Sequence, residues 1–381
     1  MSTSTTAPTT TTELRDAVRD APGPVVATGA GTAADWAAPP APDATVISVR
    51  GLAGVVAHNP GDMTVAVGAG TPLDALQSAL AEHGQRVAFD AARVRRGATV
   101  GGLFATADSG PLALAYGSLR DLVIGVTVVL ADGTVARSGG HVIKNVAGYD
   151  LAKLLHGAHG TFGVMSEVVL RLHPRPPAVR TVALPCPDLA GLPAAGRAVT
   201  DTPVEPSALE WSDGRLLVRL EGTEGGVEGR ATRLAGLLDG AAELPAADAD
   251  AAWSSHADAV EGPDGRAVIR VGVRPTQLGE VLTSLVGEAD AEDVTAAPAT
   301  GVATLTVPAD AEVVAAVHRR LAAAGGTSTL RSRPAGTDLP AWGPAPASAV
   351  LLRAVAASLD PDHRIGRGRM DPWLPRTGAP A

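Results

Sequence analysis

Between residues 71 and 84 the chain reads TPLDALQSALAEHG, with leucines 73, 76 and 80 at helical spacing. Pro72 suits a first turn and Gly84 a C-terminal stop, so a helix is predicted here. Just before it, MTVAVGAG (63–70) is an apolar β-run ended by glycine. Residues 14–18 predict a short first helix, and PVVATGAGT (24–32) a strand running into a glycine-rich turn. Strands alternate with turns across 45–71. LVIGVTVVLADGTVARSGG (122–140) reads as two strands joined at Ala-Asp-Gly, a hairpin signal. RRGATVGGLFATADSGP (95–111) opens as a loop and predicts a small-residue helix running on through Ala105 and Ala107 to Ser109 and Gly110. MSEVVLRLHP (165–174) predicts a further strand.

Pro174, Pro176 and Pro177 then mark a boundary, and the texture changes. ALEWSDGRLLVRLEG (208–222) predicts a hairpin, AVIRVGV (267–273) and ATLTVPA (303–309) strands, and 226–240, 276–289 and 312–326 helices. The expected organisation is a disordered Ser/Thr tail over 1–12, a first domain over 13–177 and a smaller α+β domain over 178–338. A C-terminal segment, 339–381, carries a helix and an Asp-Pro-rich extended piece and is expected to return to the first domain.

Composition narrows the function classes. Hydrophobic residues make up 45% and charged residues 19%, which predicts a globular, soluble chain rather than a disordered one. A net charge of −9 without a long basic run argues against nucleic acid, whose binding rests on Lys and Arg contacts to phosphates. The single cysteine, Cys186, excludes an internal disulfide framework and any cysteine-ligated zinc or iron–sulfur site within the chain. A reducing, cytoplasmic setting is the default expectation. The first residues lack an apolar signal-peptide region, and no apolar run is long enough to span a membrane.

Three glycine-bearing loops carry the candidate chemistry. In Thr28-Gly29-Ala30-Gly31-Thr32, open backbone amides after a strand form either an anion nest or an ordinary turn. The Rossmann fingerprint is excluded, because the third glycine and the following helix are missing. In Gly97-Ala98-Thr99-Val100-Gly101-Gly102, small residues admit either a flat ligand or another backbone. The third loop, KNVAGYDLAKLLHGAHGTFGV (144–164), places His156 and His159 three apart, a spacing compatible with a metal. Gly157 and Gly160 disfavour a continuous helix there and no acidic residue supplies a third ligand, so no metal site is expected. Gly160-Thr161-Phe162-Gly163 reads as a tight turn.

Taken together, DMTVAVGAGTPLDALQSALAEHGQ (62–85), GATVGGLFATADSGPLALAYGSLRDLVIGVTVVLADG (97–133) and KNVAGYDLAKLLHGAHGTFGVMSEVVLRLHPRP (144–176) resemble the PCMH/VAO-type FAD-binding oxidoreductases. More narrowly they resemble the FAD-binding E subunit of bacterial glycolate oxidase. ASLDPDHRIGRGRM (357–370) is similar to that family's Phe-Asp-Pro…Asn-Pro-Gly-Arg ending. The resemblance implies an α+β fold of two FAD-binding subdomains with a cap domain. It also implies FAD, a 2-hydroxy acid such as glycolate or D-lactate, and two partners: a larger flavin- and metal-bearing catalytic subunit and an iron–sulfur subunit. Carried over by motif, residues 28–32 cradle the pyrophosphate. Gly97, Ala98, Thr99, Gly101 and Gly102 line the flavin, with Ala105, Ser109 and Gly110 behind. Gly160, Gly163 and Val164 approach the adenosine half. Lys144 and Asn145 are candidates for groups near the flavin, with a surface salt bridge the alternative for Lys144.

Several departures from the family pattern matter. Thr28 and Ala30 replace an arginine and a glycine of the usual first loop, and Ala107 replaces a common asparagine. If position 30 needs φ > 0, its alanine is strained. No histidine occurs in 28–32, so the flavin is expected to be non-covalent. The Gly-Asp-Gly-Asn-x-His metal motif of related D-lactate and D-2-hydroxyglutarate dehydrogenases does not occur after residue 175. A stand-alone FAD-dependent hydroxy-acid or alcohol oxidase and a flavin-free scaffold subunit remain alternative readings.

Overall fold

A computed structural model describes residues 5–141 and 149–374. Two compact units account for them. The first comprises residues 1–109, 117–175 and 345–381, the second 110–116 and 176–344.

The first unit begins with a short strand, β1 (Thr5–Thr6), and a helix, α1 (Thr11–Asp20). The threonines expected to be a loose tail have structural work from residue 5 onward. Thr5 and Thr6 pair in parallel with Val46 and Ile47. Thr10 Oγ1 accepts from the Glu13 amide, while the Glu13 carboxylate accepts from the Thr9 amide and hydroxyl. That reciprocal cap satisfies amides at the helix start, and Leu14 and Val18 anchor the other face in a core. The expectation of disorder over 1–12 is therefore corrected for residues 5–12.

Strands β2 (Val25–Thr28) and β3 (Thr45–Ser48) complete a parallel three-stranded sheet in the order β1-β3-β2. An antiparallel five-stranded sheet follows in the order β4-β5-β9-β7-β8. Its strands are β4 (Val55–Asn59), β5 (Thr64–Gly68), β7 (Val123–Val129), β8 (Val135–Gly139) and β9 (Val164–Arg171). A two-stranded pair, β6 (Gln85–Arg86) with β10 (His173–Pro174), lies beside it in sequence. Every residue of β5 is buried, as a central apolar strand requires. Helices α2 (Leu73–Ala81) and α3 (Val100–Ala105) contribute Leu73, Leu76, Leu80, Leu103 and Phe104 to the same core, all at 1% exposure or less. At about 25 cal/mol per Å² of apolar surface, these side chains are the main source of the unit's stability.

The helix after the second loop is shorter than its composition suggests. It stops at Ala105: the Thr106 amide still bonds the Gly102 carbonyl, but Ala107 turns into the left-handed region at φ 48. The C-terminal stretch packs into the same unit. Ala356, in the helix Ala349–Leu359, joins the core of α2 and α3. Val25 bridges Ile365, and the Arg364 guanidinium donates to the carbonyls of Val18, Ala21 and Ala131.

The second unit is built on an antiparallel eight-stranded sheet in the order β14-β11-β13-β12-β16-β17-β15-β18. Its strands are β11 (Ala178–Pro185), β12 (Ala208–Ser212), β13 (Arg215–Gly222), β14 (Ala242–Glu243), β15 (Arg266–Gly272), β16 (Glu292–Ala297), β17 (Val302–Pro308) and β18 (Thr327–Ser332). The predicted 208–222 hairpin is β12–β13, paired from Ala208↔Arg219 to Ser212↔Arg215. Helices Glu224–Leu237, Leu278–Glu288 and Ala311–Ala323 correspond to predicted ones. Helices Leu192–Thr200 and Ala246–Glu261 were not predicted. The short segment 110–116 belongs here, its Tyr116 hydroxyl donating to Glu221.

Candidate functional site

The first unit contains a cavity of about 280 Å³ at the end of strand β2. Its lining includes residues 26–34, Arg93, α3 with Thr99 and Thr106, residues 159–160 and 163–165, and Arg369 from the C-terminal stretch. Small side chains at Gly29, Ala30, Gly31, Gly101, Gly102 and Ala105 make most of the floor.

The loop after β2 is held against α3 by close approach. A Cβ on Gly29 would come within 2.2 Å of Thr99 Oγ1, so glycine is the only residue that leaves this spacing intact. Thr99 is also the cap of α3, accepting from the Gly102 amide. The left-handed residue of the loop is Gly31, at φ 78. Ala30 is not among the positive-φ residues, so the strain its replacement of glycine suggested is absent. Among the described residues, no acceptor pairs with the amides of Ala30, Gly31 or Thr32. Consecutive unpaired amides around a left-handed residue are the elements of an anion-binding nest.

Among the described residues, two arginines and no carboxylate line the cavity. Arg93, 4% exposed, forms an ion pair with Asp108 at 2.9 Å and donates to Thr32 Oγ1 at 3.2 Å and Thr106 Oγ1 at 2.9 Å. Its guanidinium also lies 3.7 Å from the Trp36 ring centroid, a cation–π stack. Burial pushes its pKa down while Asp108 pushes it up, and guanidinium stays protonated at any physiological pH. Arg369 donates to the carbonyls of Ala33, Ala34 and Ala38, fixing the chain beyond the loop. The cavity thus combines backbone donors, a hydroxyl and positive charge, which suits a phosphate-bearing ligand.

Of the residues expected at a cofactor site, Thr28, Gly29, Ala30, Gly31, Thr32, Thr99, Gly101, Gly102, Ala105, Gly160, Gly163 and Val164 line this one cavity. Gly97, Ala98, Ser109 and Gly110 lie outside the lining. Gly97 closes a 3₁₀ turn in the left-handed region, and Ala98 is 1% exposed in the core with its carbonyl accepting from Leu73. Ser109 follows the end of α3, and Gly110 belongs to the second unit. Lys144 and Asn145 fall outside the described residues. Gly101 has a packing reason as well, since its Cβ would meet the Ala69 carbonyl oxygen at 2.9 Å. His156 stacks edge-on to Phe104, and the His159 amide donates to the Ala105 carbonyl.

Sequence reasoning missed Arg93, Arg369 and Met165 as lining residues. Arg93 sits in the run Arg93-Val94-Arg95-Arg96, where nothing local distinguishes the buried arginine from its neighbours. Arg369 reaches the site only through tertiary packing of the C-terminal stretch.

Residues 4–139 match the FAD binding domain family, and they contain the loop, α3 and both Arg93 and Asp108. The chain carries an FAD-binding domain of the PCMH type, and FAD is the cofactor that domain takes. Over 193 residues, 50% of this chain, the sequence is 34% identical to glycolate oxidase subunit GlcE of Escherichia coli, covering 54% of that protein. It is 36% identical over 167 residues to a D-lactate dehydrogenase of Archaeoglobus fulgidus, 44% of this chain and 37% of that one. The matched stretch thus spans about half or less of each of these relatives. An alkyldihydroxyacetonephosphate synthase structure has the same fold, with a TM-score of 0.68 at 14% identity over 95% of this chain and 76% of its own. The cavity fits the cofactor: unpaired amides, a threonine hydroxyl and two arginines face a space walled by residues with little side chain.

Proposed function

We propose that this chain is the FAD-binding subunit of a complex oxidising a 2-hydroxy acid, glycolate or D-lactate. The observation that carries the reading is the cavity itself: the loop 28–32 and Thr99, within the matched residues 4–139, converge on it with Gly160, Gly163 and Val164. The 34% identity to a glycolate oxidase subunit supports the substrate class. Residues 28–32 hold the pyrophosphate and Gly101, Gly102 and Ala105 lie along the flavin. Loop 28–32 offers no histidine for a covalent bond, so the flavin is held non-covalently.

Bound FAD would supply the acceptor for the electron pair that leaves the substrate. The protein supplies position and charge: amides and arginines for the phosphates, small residues for the ring. One of the relatives described above is a glycolate oxidase subunit, and the second unit lacks the Gly-Asp-Gly-Asn-x-His sequence. Both support a division of labour with a larger flavin- and metal-bearing subunit and an iron–sulfur subunit, on the cytoplasmic side. Among the described residues no helix is long and apolar enough to cross a membrane. The similarity to a D-lactate dehydrogenase favours a second reading, an oxidoreductase acting alone.

Anaerobic mixing of the FAD-loaded chain with glycolate or D-lactate separates these readings. The expected result is that the flavin's visible band bleaches only when the partner subunits are present. Bleaching by the isolated chain would establish the second reading, and absence of any FAD binding would overturn both.

A further inference from the structure

Arg93 is almost wholly enclosed, yet it sends its charge toward the cavity through one hydroxyl. Its Nη2 donates to Thr106 Oγ1, and that hydroxyl spends its own proton on the Gly102 carbonyl at 2.8 Å. Its Nη1 donates to Thr32 Oγ1 at 3.2 Å, and among the described residues no acceptor takes the Thr32 proton. A hydroxyl that accepts from a guanidinium has one lone pair engaged and its proton left to donate. Thr32 lines the cavity beside the unpaired amides of residues 30–32. The bond therefore orients and polarises the hydroxyl while leaving its proton available to donate.

We propose that Arg93 is a positioning residue for the cofactor's pyrophosphate, acting through Thr32, whose hydroxyl it orients to donate to a phosphate oxygen. The inference rests on the FAD reading above. Three fixed partners hold the fork in place: Asp108 at 2.9 Å, Thr106, and the face of Trp36. A lysine ammonium is a point donor and cannot meet Asp108, Thr32 and Thr106 with one planar geometry.

The test uses the full chain and equilibrium titration with FAD and, separately, riboflavin, which has no phosphate. Thr32→Val is expected to weaken FAD binding about tenfold or more, the usual cost of losing a hydrogen bond to a charged group, and Thr32→Ser to restore it. Riboflavin affinity is expected to stay the same in every variant. Arg93→Lys is expected to weaken FAD alone, and Arg93→Lys with Thr32→Val to bind no more weakly than Thr32→Val by itself, because the two act in series. Unchanged FAD affinity in Thr32→Val overturns the proposal, as does a double variant whose losses multiply. An equal loss of riboflavin overturns it too, because the effect is then general damage to the site. If Arg93→Lys fails to fold, the Thr32 pair of variants decides. A wild-type chain that binds riboflavin as tightly as FAD sinks the positioning role and leaves the flavin reading standing. A chain that binds neither sinks both.

Discussion

The Arg93 guanidinium and the Asp108 carboxylate lie 2.9 Å apart with side chains only 5% and 4% exposed. They link the 3₁₀ turn Ala92–Arg96 to the chain just beyond α3, the two segments that bracket the second glycine loop. Breaking a buried pair by removing one partner leaves the other charge uncompensated, at a cost of about 3–5 kcal/mol. Asp108→Ala is expected to lower the stability of the chain by that order in urea unfolding. A loss below about 1 kcal/mol, the range of a solvated surface pair, would contradict the enclosed geometry.

The approach of the first loop to α3 allows no Cβ at Gly29. Gly29→Val is expected to push the loop away from Thr99 and to reduce FAD affinity more than about tenfold, with a destabilisation of about 1–3 kcal/mol from overpacking. Gly61→Val is the control, because nothing lies within 4 Å of a Cβ at Gly61 and its surroundings are exposed. Equal affinities in the two variants would show that the loop does not contact the cofactor.

Ala107 occupies φ 48 at the end of α3, a conformation that costs a residue with a Cβ about 1 kcal/mol. Ala107→Gly is expected to raise stability by up to about that amount, measured as an upward shift of the urea midpoint. Ala107→Asn is expected to be tolerated, since asparagine visits the left-handed region more readily than alanine. A fall in midpoint for Ala107→Gly would mean that the alanine methyl packs more favourably than its strain costs. Gly157 stands beside that methyl, since a Cβ added there would come within 3.1 Å of it.

His318 is 3% exposed in the second unit, and its ring is committed at both nitrogens. Nε2–H donates to the Pro340 carbonyl at 2.9 Å, which leaves Nδ1 to accept from the Ser328 hydroxyl. Burial holds its pKa below the ordinary histidine value. The unfolded chain therefore binds the proton first as pH falls, so this contribution is complete above the unfolded value of about 6.5 and is lost below it. His173, lowered by burial and by Arg171 and Arg86, acts in the same direction. Stability is expected to drop on acidification from neutral pH, by at most about 1.4 kcal/mol per pH unit for each histidine. His318→Gln is expected to flatten that slope, and an unchanged slope would contradict the assignment.

What the sequence disclosed follows from where the determining forces lie. The helix α2 and the β7–β8 hairpin are marked by local periodicity and turn residues, and both occur as expected. The unpredicted helix Ala246–Glu261 reads AADADAAWSSHADAVE, in which alanine is scattered among polar residues and buries only Ala252 and His256, so no apolar stripe marks it. Strand β18, Thr327–Ser332, is polar by composition and is held by pairing with β15. At the candidate site the glycine-bearing loops were legible because close approach demands small residues. Arg93 and Arg369 were not, because a charged side chain is buried only by contacts that fold back from distant sequence. The end of α3 was misplaced because the left-handed turn that ends it falls on Ala107, where no glycine or asparagine marks it in the sequence.

The central claim is that loop 28–32 and α3 form the seat of a non-covalent FAD. Titration of the flavin-stripped chain with FAD, followed by quenching of flavin fluorescence, tests it most directly when run beside Gly29→Val. The account predicts one FAD per chain, released on denaturation without residual protein-bound flavin, and a large loss of affinity in the variant. Saturation with no FAD bound, or equal binding by Gly29→Val, would contradict it.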